Sequence, residues 1–241
     1  LSGMCEKHGM PAVAGTDKNN MFAALEFSVT ASGAGIQPII GCQVDVDYDP
    51  AGPGEKPRDA AGLVLLAKNR AGYMNLMKLN TCLYVDAGGE LPKVSLEELE
   101  TYSDGLICLT GGAIGPVGQF LIAGQRPKAE ALMDRLVKTY GDNLYMELQR
   151  HPSETGLPEP ERLSERGFVE MAYARNIPLV ATNDVYFPKD DMYEAHDALI
   201  CIAEGAYVDH AFNTTDVCMI LDTAQMTARQ RRLFSPRTGE A

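Results

Sequence analysis

Two rhythms of apolar positions run along the chain. Short continuous apolar runs alternate with stretches in which apolar residues recur every three or four positions. The first kind predicts strands at PAVAGTD (11–17), QPIIGCQVDVDY (37–48), LVLLAKN (63–69), GLICLTGG (105–112), NLYMELQRH (143–151) and IPLVATNDVYF (177–187). The second predicts helices. NNMFAALEFSVTASGAG (19–35) carries Met21, Phe22 and Leu25 on an apolar side and ends in glycines. AGYMNLMKLNTCLYV (71–85) places Leu76, Leu79 and Leu83 on one face. SLEELETY (95–102) opens with Ser95 and has Glu98 three residues on, the pattern of a capping box. Further helices are predicted at 116–124, at 127–141 with Pro127 at its start, at 158–176, and at 191–205 with acids in the first turn. Stretches 49–62 and 86–94 are rich in Gly, Pro and charge and read as loops.

Strands separated by helices at this spacing predict a parallel sheet covered by helices. Several of the strands are apolar throughout, as expected when both faces are buried. The segment LSGMCEKHGM reads as the end of a helix already under way. One or two strands are therefore expected upstream of Leu1. Added to the six visible here, they favour a closed or distorted β/α barrel over an open doubly wound sheet. No G-x-G-x-x-G or P-loop follows any predicted strand, which argues against a nucleotide-cofactor fold.

Composition narrows the function classes. The chain has 241 residues, 45% hydrophobic and 22% charged, with a net charge of −12. So acidic a chain is a poor free-standing nucleic-acid binder, because phosphate contacts need clustered Lys and Arg. No apolar run approaches the roughly 20 residues of a membrane span. No secretory signal pattern is visible. The expectation is a cytoplasmic protein without membrane contact. The six cysteines form no C-x-x-C pair, so a structural zinc ribbon is not expected. Cys42, Cys108 and Cys201 lie in apolar patterns and read as reduced, buried thiols.

The candidate chemistry sits at strand ends. Asp17 closes the first predicted strand, Gln43 lies late in the second, and Gly111 and Gly112 end the fourth. His151 ends the fifth, and Asp184 ends the sixth. In a β/α barrel the carboxyl ends of the strands share the face that holds the active site. Asp17, His151 and Asp184 could then converge on a divalent metal such as zinc or manganese. The alternative is plainer: an Asp at a strand end often caps the next helix. His8 reads as a charge at a helix end and His196 as a packed or surface histidine. His210 receives no role.

Seven blocks carry a resemblance. GMPAVAGTDKNNMFAALEF, AGIQPIIGCQVDV, LVLLAKNRAGYMNLMKL, LEELETYSDGLICLTGG, NLYMELQRH, IPLVATNDVYF and EAHDALICIAEG follow one another in order. Together they resemble the polymerase-and-histidinol-phosphatase (PHP) domain at the amino end of the bacterial DNA polymerase III alpha subunit. The resemblance covers about residues 1–208. It implies a distorted seven-stranded β/α barrel whose first strand lies upstream. Residues 209–241 do not follow the family's pattern and stay unassigned, and the pentamer ARQRR within them is weak support for nucleic-acid contact.

The resemblance also implies a ligand set, and this chain departs from it. Metal-binding members carry an H-x-H-like first motif, then T-D-H, G-C-E, S-G-C, E-L-Q-x-H and N-D-V-H. The first is expected upstream of Leu1. Asp17 matches the second, but Lys18 replaces its histidine. Gln43 replaces glutamate, Gly112 replaces cysteine, and Tyr186 replaces the last histidine. His151 and Asp184 match, so three of the seven ligand positions covered here agree. The resemblance thus implies a vestigial metal position at Asp17, His151 and Asp184, with no cofactor expected in this segment. Asp184 is expected to pair with Lys18. In the family, members with degraded ligand sets resemble scaffolds. They stabilise the polymerase and dock the proofreading exonuclease subunit.

On this reading the partners are that exonuclease, other polymerase III subunits, the rest of the alpha chain, and DNA through the parent polymerase. The parent would be a DNA-directed DNA polymerase, a nucleotidyltransferase whose magnesium site lies outside this chain. Two other readings stand beside it. One is a residual metal-dependent phosphoesterase or 3′-5′ exonuclease using Asp17, His151 and Asp184. The other is a stand-alone histidinol-phosphatase-like enzyme, against which NDVYF resembles the polymerase branch. A segment lacking a barrel strand would expose two sheet edges and is expected to be poorly soluble alone.

Overall fold

A computed structural model describes residues 1–50, 58–85, 92–151, 157–186 and 192–205. In chain order the elements are α1 (Ser2–Lys7), β1 (Ala12–Gly15), α2 (Ala24–Gly33), β2 (Gln37–Asp47) and β3 (Ala61–Ala67). Then come α3 (Arg70–Val85), β4 (Val94–Ser95), α4 (Leu96–Thr101), β5 (Leu106–Leu109), α5 (Pro116–Ile122) and α6 (Arg126–Tyr140). The last are β6 (Leu144–Gln149), α7 (Glu159–Arg175), β7 (Leu179–Thr182) and α8 (Tyr193–Glu204). All six expected strands are present. The unassigned stretch 209–241, with His210 and Cys218, lies outside the described residues, as do parts of both predicted loops.

The strands form one seven-stranded sheet in the order β1-β2-β3-β5-β6-β7, with β4 paired to β2. It curls into a half-barrel, the distorted form of the expected β/α barrel. Two details differ from expectation. First, β3 runs antiparallel to both β2 and β5, while β1, β2, β4, β5, β6 and β7 share one direction. The alternation of apolar runs with helices predicts parallel strands, but the stretch 49–62 before β3 carries no helical pattern. Antiparallel neighbours, unlike parallel ones, need no crossover element between them. Second, the seventh strand is β4, where Val46 pairs with Val94 in a stretch that reads as the end of a loop and the cap of α4. Two residues are too short to leave a periodic signal.

The core lies between the middle strands and α3, α5 and α6. Leu63 and Leu65 of β3 and Leu106 of β5 are buried against Leu76, Leu79 and Leu83 of α3. Leu132, Met133 and Leu136 of α6, Val117 and Phe120 of α5, and Phe168 and Met171 of α7 belong to the same core. Each fully buried side chain of this kind contributes about 1.5–3 kcal/mol through surface removed from water. The capping box on α4 forms as predicted: Ser95 Oγ accepts from the Glu98 N–H, and the Glu98 carboxylate accepts from the Ser95 N–H. His8 is the C-cap of α1, followed by Gly9 at φ 63°.

The orientation of α2 corrects the sequence reading. Phe22 is 87% exposed, and Leu25 and Val29 also face outward. The sheet instead receives Phe27, which packs on Gly15, and the buried Ala31. A Cβ on Gly15 would lie 3.3 Å from the Phe27 ring. This helix is apolar on more than one side, so periodicity alone does not select the inward one.

Candidate functional site

Because every strand but β3 runs the same way, their carboxyl ends open on one face. The strand β3 presents its start there, at Ala61 and Gly62. Asp17, Gln43, Gly111, Gly112, His151 and Asp184 all belong to this face, as the sequence predicts.

At the β1–β2 side the chain is stitched by its backbone. Lys18 forms a parallel bridge with Gln43, the Gln43 N–H donates to Asp17 O at 3.1 Å, and the Asn19 N–H donates to Gln43 O at 2.7 Å. Asn19 sits in the left-handed region at φ 56°, which asparagine tolerates better than most residues. Its amide donates to Asp45 Oδ2 at 3.0 Å and accepts from the Asp45 N–H at 2.9 Å. Lys18 Nζ completes the group at 3.2 Å from Asp45 Oδ2. The expected pairing of Lys18 with Asp184 is therefore corrected. Side chains two apart on a strand share a face. Lys18 aligned with Gln43 thus meets Asp45 on the same strand. Asp184 instead accepts from the Tyr186 hydroxyl at 2.8 Å. Neither acid caps a helix: the N-cap of α2 is Ala23 and that of α8 is Met192.

In the middle of the face, amides and glycines fill the space. Gln43 lies on Gly62, where a Cβ would stand 2.6 Å from its Nε2. Gly111 has φ 77°, and a Cβ there would fall 2.1 Å from the Gly62 carbonyl oxygen. That atom is backbone and cannot turn away, so position 111 requires glycine on both counts. Gly112, at φ 58°, is covered by Gln149, whose Oε1 would lie 2.6 Å from a Cβ. A larger residue at 112 would have to displace this amide.

Beneath these lies an acid that the sequence reading did not single out. Glu147 of β6 is only 3% exposed. Its Oε2 accepts from the Gly111 N–H at 2.9 Å, and its Oε1 stands 2.5 Å from Thr182 Oγ1. The Glu147 N–H donates to Thr110 Oγ1 at 2.9 Å. Burial pushes the Glu147 carboxyl above its ordinary value; the bonds from Thr182, Gly111 and Gln149 act against the rise, and the charge of Asp184 adds to it. The signal was present as a lone acid inside the apolar run LYMEL.

His151 is gripped by a second acid the sequence reading did not single out. Its Nδ1 is 2.5 Å from Glu161 Oε1, and its N–H donates to Glu161 Oε2 at 2.9 Å. Glu161 comes from the first turn of α7 and is buried. Arg150 beside it forms a forked pair with Glu165. Beyond β7, Tyr186 stacks on His196 of α8 with centroids 5.3 Å apart. Cys42 and Cys108 are buried and free, and burial raises both thiols.

The donor chemistry of this face is sparse. Lys18 supplies a cation, Gln43 a neutral amide and Gly112 no side-chain donor. Among the described residues no group of three or more His, Cys, Asp or Glu could hold a metal ion. Asp17, His151 and Asp184 share a face without forming such a group. An open cleft of about 460 Å³, lined by residues including Tyr173, Ile177 and Leu179, lies at the opposite end of β7. Among the described residues no helix is long and apolar enough to cross a membrane.

Comparison with known proteins bears on this face. The PHP domain family matches residues 2–151. The DNA polymerase III subunit alpha of Caulobacter vibrioides is 46% identical over 201 residues, covering 83% of this chain and 17% of that protein. The proteins of that name from Rickettsia bellii and Rickettsia prowazekii are 36% and 34% identical. They match 84% and 95% of this chain, and 16% and 18% of their own lengths. The chain thus spans less than a fifth of these relatives. A solved structure from Bifidobacterium adolescentis, assigned as a metal-dependent phosphoesterase, aligns with a TM-score of 0.42 and 10% identity. It covers 76% of this chain and 80% of that one, a likeness too weak to carry weight.

Proposed function

This chain belongs to the PHP-domain family, and from that premise we propose that it acts in DNA replication as the PHP domain of a DNA polymerase III alpha subunit. In this reading it is a non-catalytic scaffold. It stabilises the polymerase part of the alpha chain and docks the proofreading exonuclease subunit. Polymerisation, with its magnesium, belongs to another part of the parent protein.

The observation that carries the non-catalytic reading is the Lys18–Asp45 pair. Where the resemblance implies a histidine ligand, an ammonium group stands 3.2 Å from a carboxylate. Cations are held together by anionic ligands. A lysine at the position of a ligand adds repulsion where a metal needs charge neutralisation. Gln43 and Gly112 remove one carboxylate and one thiolate from the same face. Vestigial ligand positions then remain at Asp17, His151 and Asp184.

The reading is tested by incubating the full chain with a DNA 3′ end and with a small phosphoester, in zinc and in manganese. No metal-dependent cleavage is expected. Cleavage that disappears in His151→Ala would favour a residual phosphoesterase using Asp17, His151 and Asp184. Docking is tested separately, by titrating the exonuclease subunit of a close relative onto the chain. Saturable binding is expected, and its absence would overturn the scaffold role.

A further inference from the structure

The proposed scaffold does not require His151 to be held in any particular way, yet of the three ligand positions it has the most closely fixed side chain. Asp17 is exposed, and Asp184 meets Tyr186, an exposed residue two positions on. The His151 and Glu161 side chains are only 12% and 9% exposed. Two bonds run from this one histidine to one carboxylate. Its backbone N–H donates to Glu161 Oε2 at 2.9 Å, and its ring Nδ1 lies 2.5 Å from Glu161 Oε1. The first bond sets the carboxylate against the end of β6, and the second then sets the ring.

The neighbouring acids are spent elsewhere, so the pair is a specific one. Glu159, in the same first turn of α7, is 74% exposed at its side chain and lies 3.6 Å from Arg162. Glu165, one turn on, accepts from Arg150 Nε at 2.6 Å. Successive residues at the end of β6 thus grip successive turns of α7. The chemistry of the inner grip fixes a proton. A carboxylate accepts and does not donate, so a bond at Nδ1 needs the proton on that nitrogen. A neutral imidazole has one such proton, which leaves Nε2 as its accepting atom. Histidines that act through one ring nitrogen commonly donate the other to a carboxylate in this way. One such nitrogen is no metal site by itself, and among the described residues no group of three donors surrounds it.

We propose that Glu161 is a positioning residue for His151: it holds the imidazole as the Nδ1–H tautomer and leaves Nε2 as the only ring atom through which His151 accepts at the strand-end face. The residue acts through the histidine and needs no contact of its own with anything bound there. The inference stands on the geometry of this pair and is independent of the replication reading.

The test is a long-range proton–nitrogen NMR spectrum of the full 241-residue chain, labelled with heavy nitrogen at histidine. The pH is raised until the ring signals stop moving, so that each imidazole carries one proton. The His151 signals are those lost in His151→Gln. Nδ1 is expected at the position of a protonated ring nitrogen and Nε2 at that of a bare one. The reverse assignment would overturn the proposal. Glu161→Ala removes the acceptor and should shift the ring towards the Nε2–H tautomer, the form that free histidine prefers. A tautomer unchanged in Glu161→Ala would contradict the role given to Glu161. Glu161→Gln keeps the size of the side chain and an accepting Oε1, so it should hold the wild-type tautomer better than Glu161→Ala. Equal loss in both would count against an acceptor role. Should Glu161→Ala fail to fold, the wild-type spectrum decides alone, since a bare Nδ1 there is incompatible with the bond.

Discussion

The middle of the sheet and its two flanks are built on different terms. In the middle, β3 and β5 are covered by α3 and α6, and Leu65, Leu76, Leu79 and Leu106 are fully buried. On the flanks, Leu25 and Val29 of α2 and Phe22 just before it face outward, and α8 does the same with Leu199 and Ile202, the latter 77% exposed. Composition alone does not separate the two, since all these helices are rich in apolar residues. What separates them is whether another layer lies across them. The centre supplies stability, while the flanks carry apolar surface that does no work within the described residues.

Substitutions sharpen this contrast in order of size. The largest effect is expected at the centre: Leu79→Ala in α3 should cost about 2–5 kcal/mol, measured by urea unfolding. Next comes Gly111→Ala, which forces a Cβ against the Gly62 carbonyl at a positive φ. It should cost roughly 1–3 kcal/mol in the same assay. Arg135 links α6 to Glu97 and Glu100 of α4 at the surface. Arg135→Ala should cost under about 1 kcal/mol, because solvent screens exposed pairs. Hydrogen bonds from Arg135 hold both carboxyls below their usual 4.5. Their contribution is therefore present above that value and fades as pH falls through the lower folded values. An acid titration of wild type against the variant reads this directly.

Two smaller effects follow. Tyr140 is buried, and its hydroxyl has no described partner. Tyr140→Phe should thus leave stability within about 1 kcal/mol of wild type or raise it, since an unpartnered buried hydroxyl is itself unfavourable. A clear loss would mean the hydroxyl has a partner after all. On the flank, Phe22→Ser should change stability by no more than about 0.5 kcal/mol in the isolated chain. A loss comparable to Leu79→Ala would erase the difference between centre and flank.

Much of the fold was legible because long periodic segments carry their own signal. Leu76, Leu79 and Leu83 face the core as their spacing predicts, and Ser95 caps α4 through Glu98. What was not legible depends on partners distant in sequence. The reversed direction of β3 appears only in its pairing with β2 and β5, which its own apolar run does not encode. The inward side of α2 is chosen by the space that Gly15 leaves for Phe27. At the strand ends, Asp17, His151 and Asp184 were visible as polar residues closing apolar runs. The partners of these ends were not: Lys18 beside Asp17 meets Asp45, His151 meets Glu161, and Asp184 meets Tyr186. Glu161 lies ten residues beyond His151, in a helix whose first turn carries acids for ordinary electrostatic reasons. Nothing in the spacing distinguishes it from Glu159. Glu147 alone left a trace, an acid within an apolar strand.

The account turns on whether the strand-end face holds metal. The most direct measurement is the zinc and manganese content of the purified full chain, after equilibration with each ion and removal of excess. The account predicts substoichiometric metal, unchanged between wild type and His151→Ala. One or more tightly held ions per chain, lost on substituting His151 or Asp184, would contradict it and restore the phosphoesterase reading.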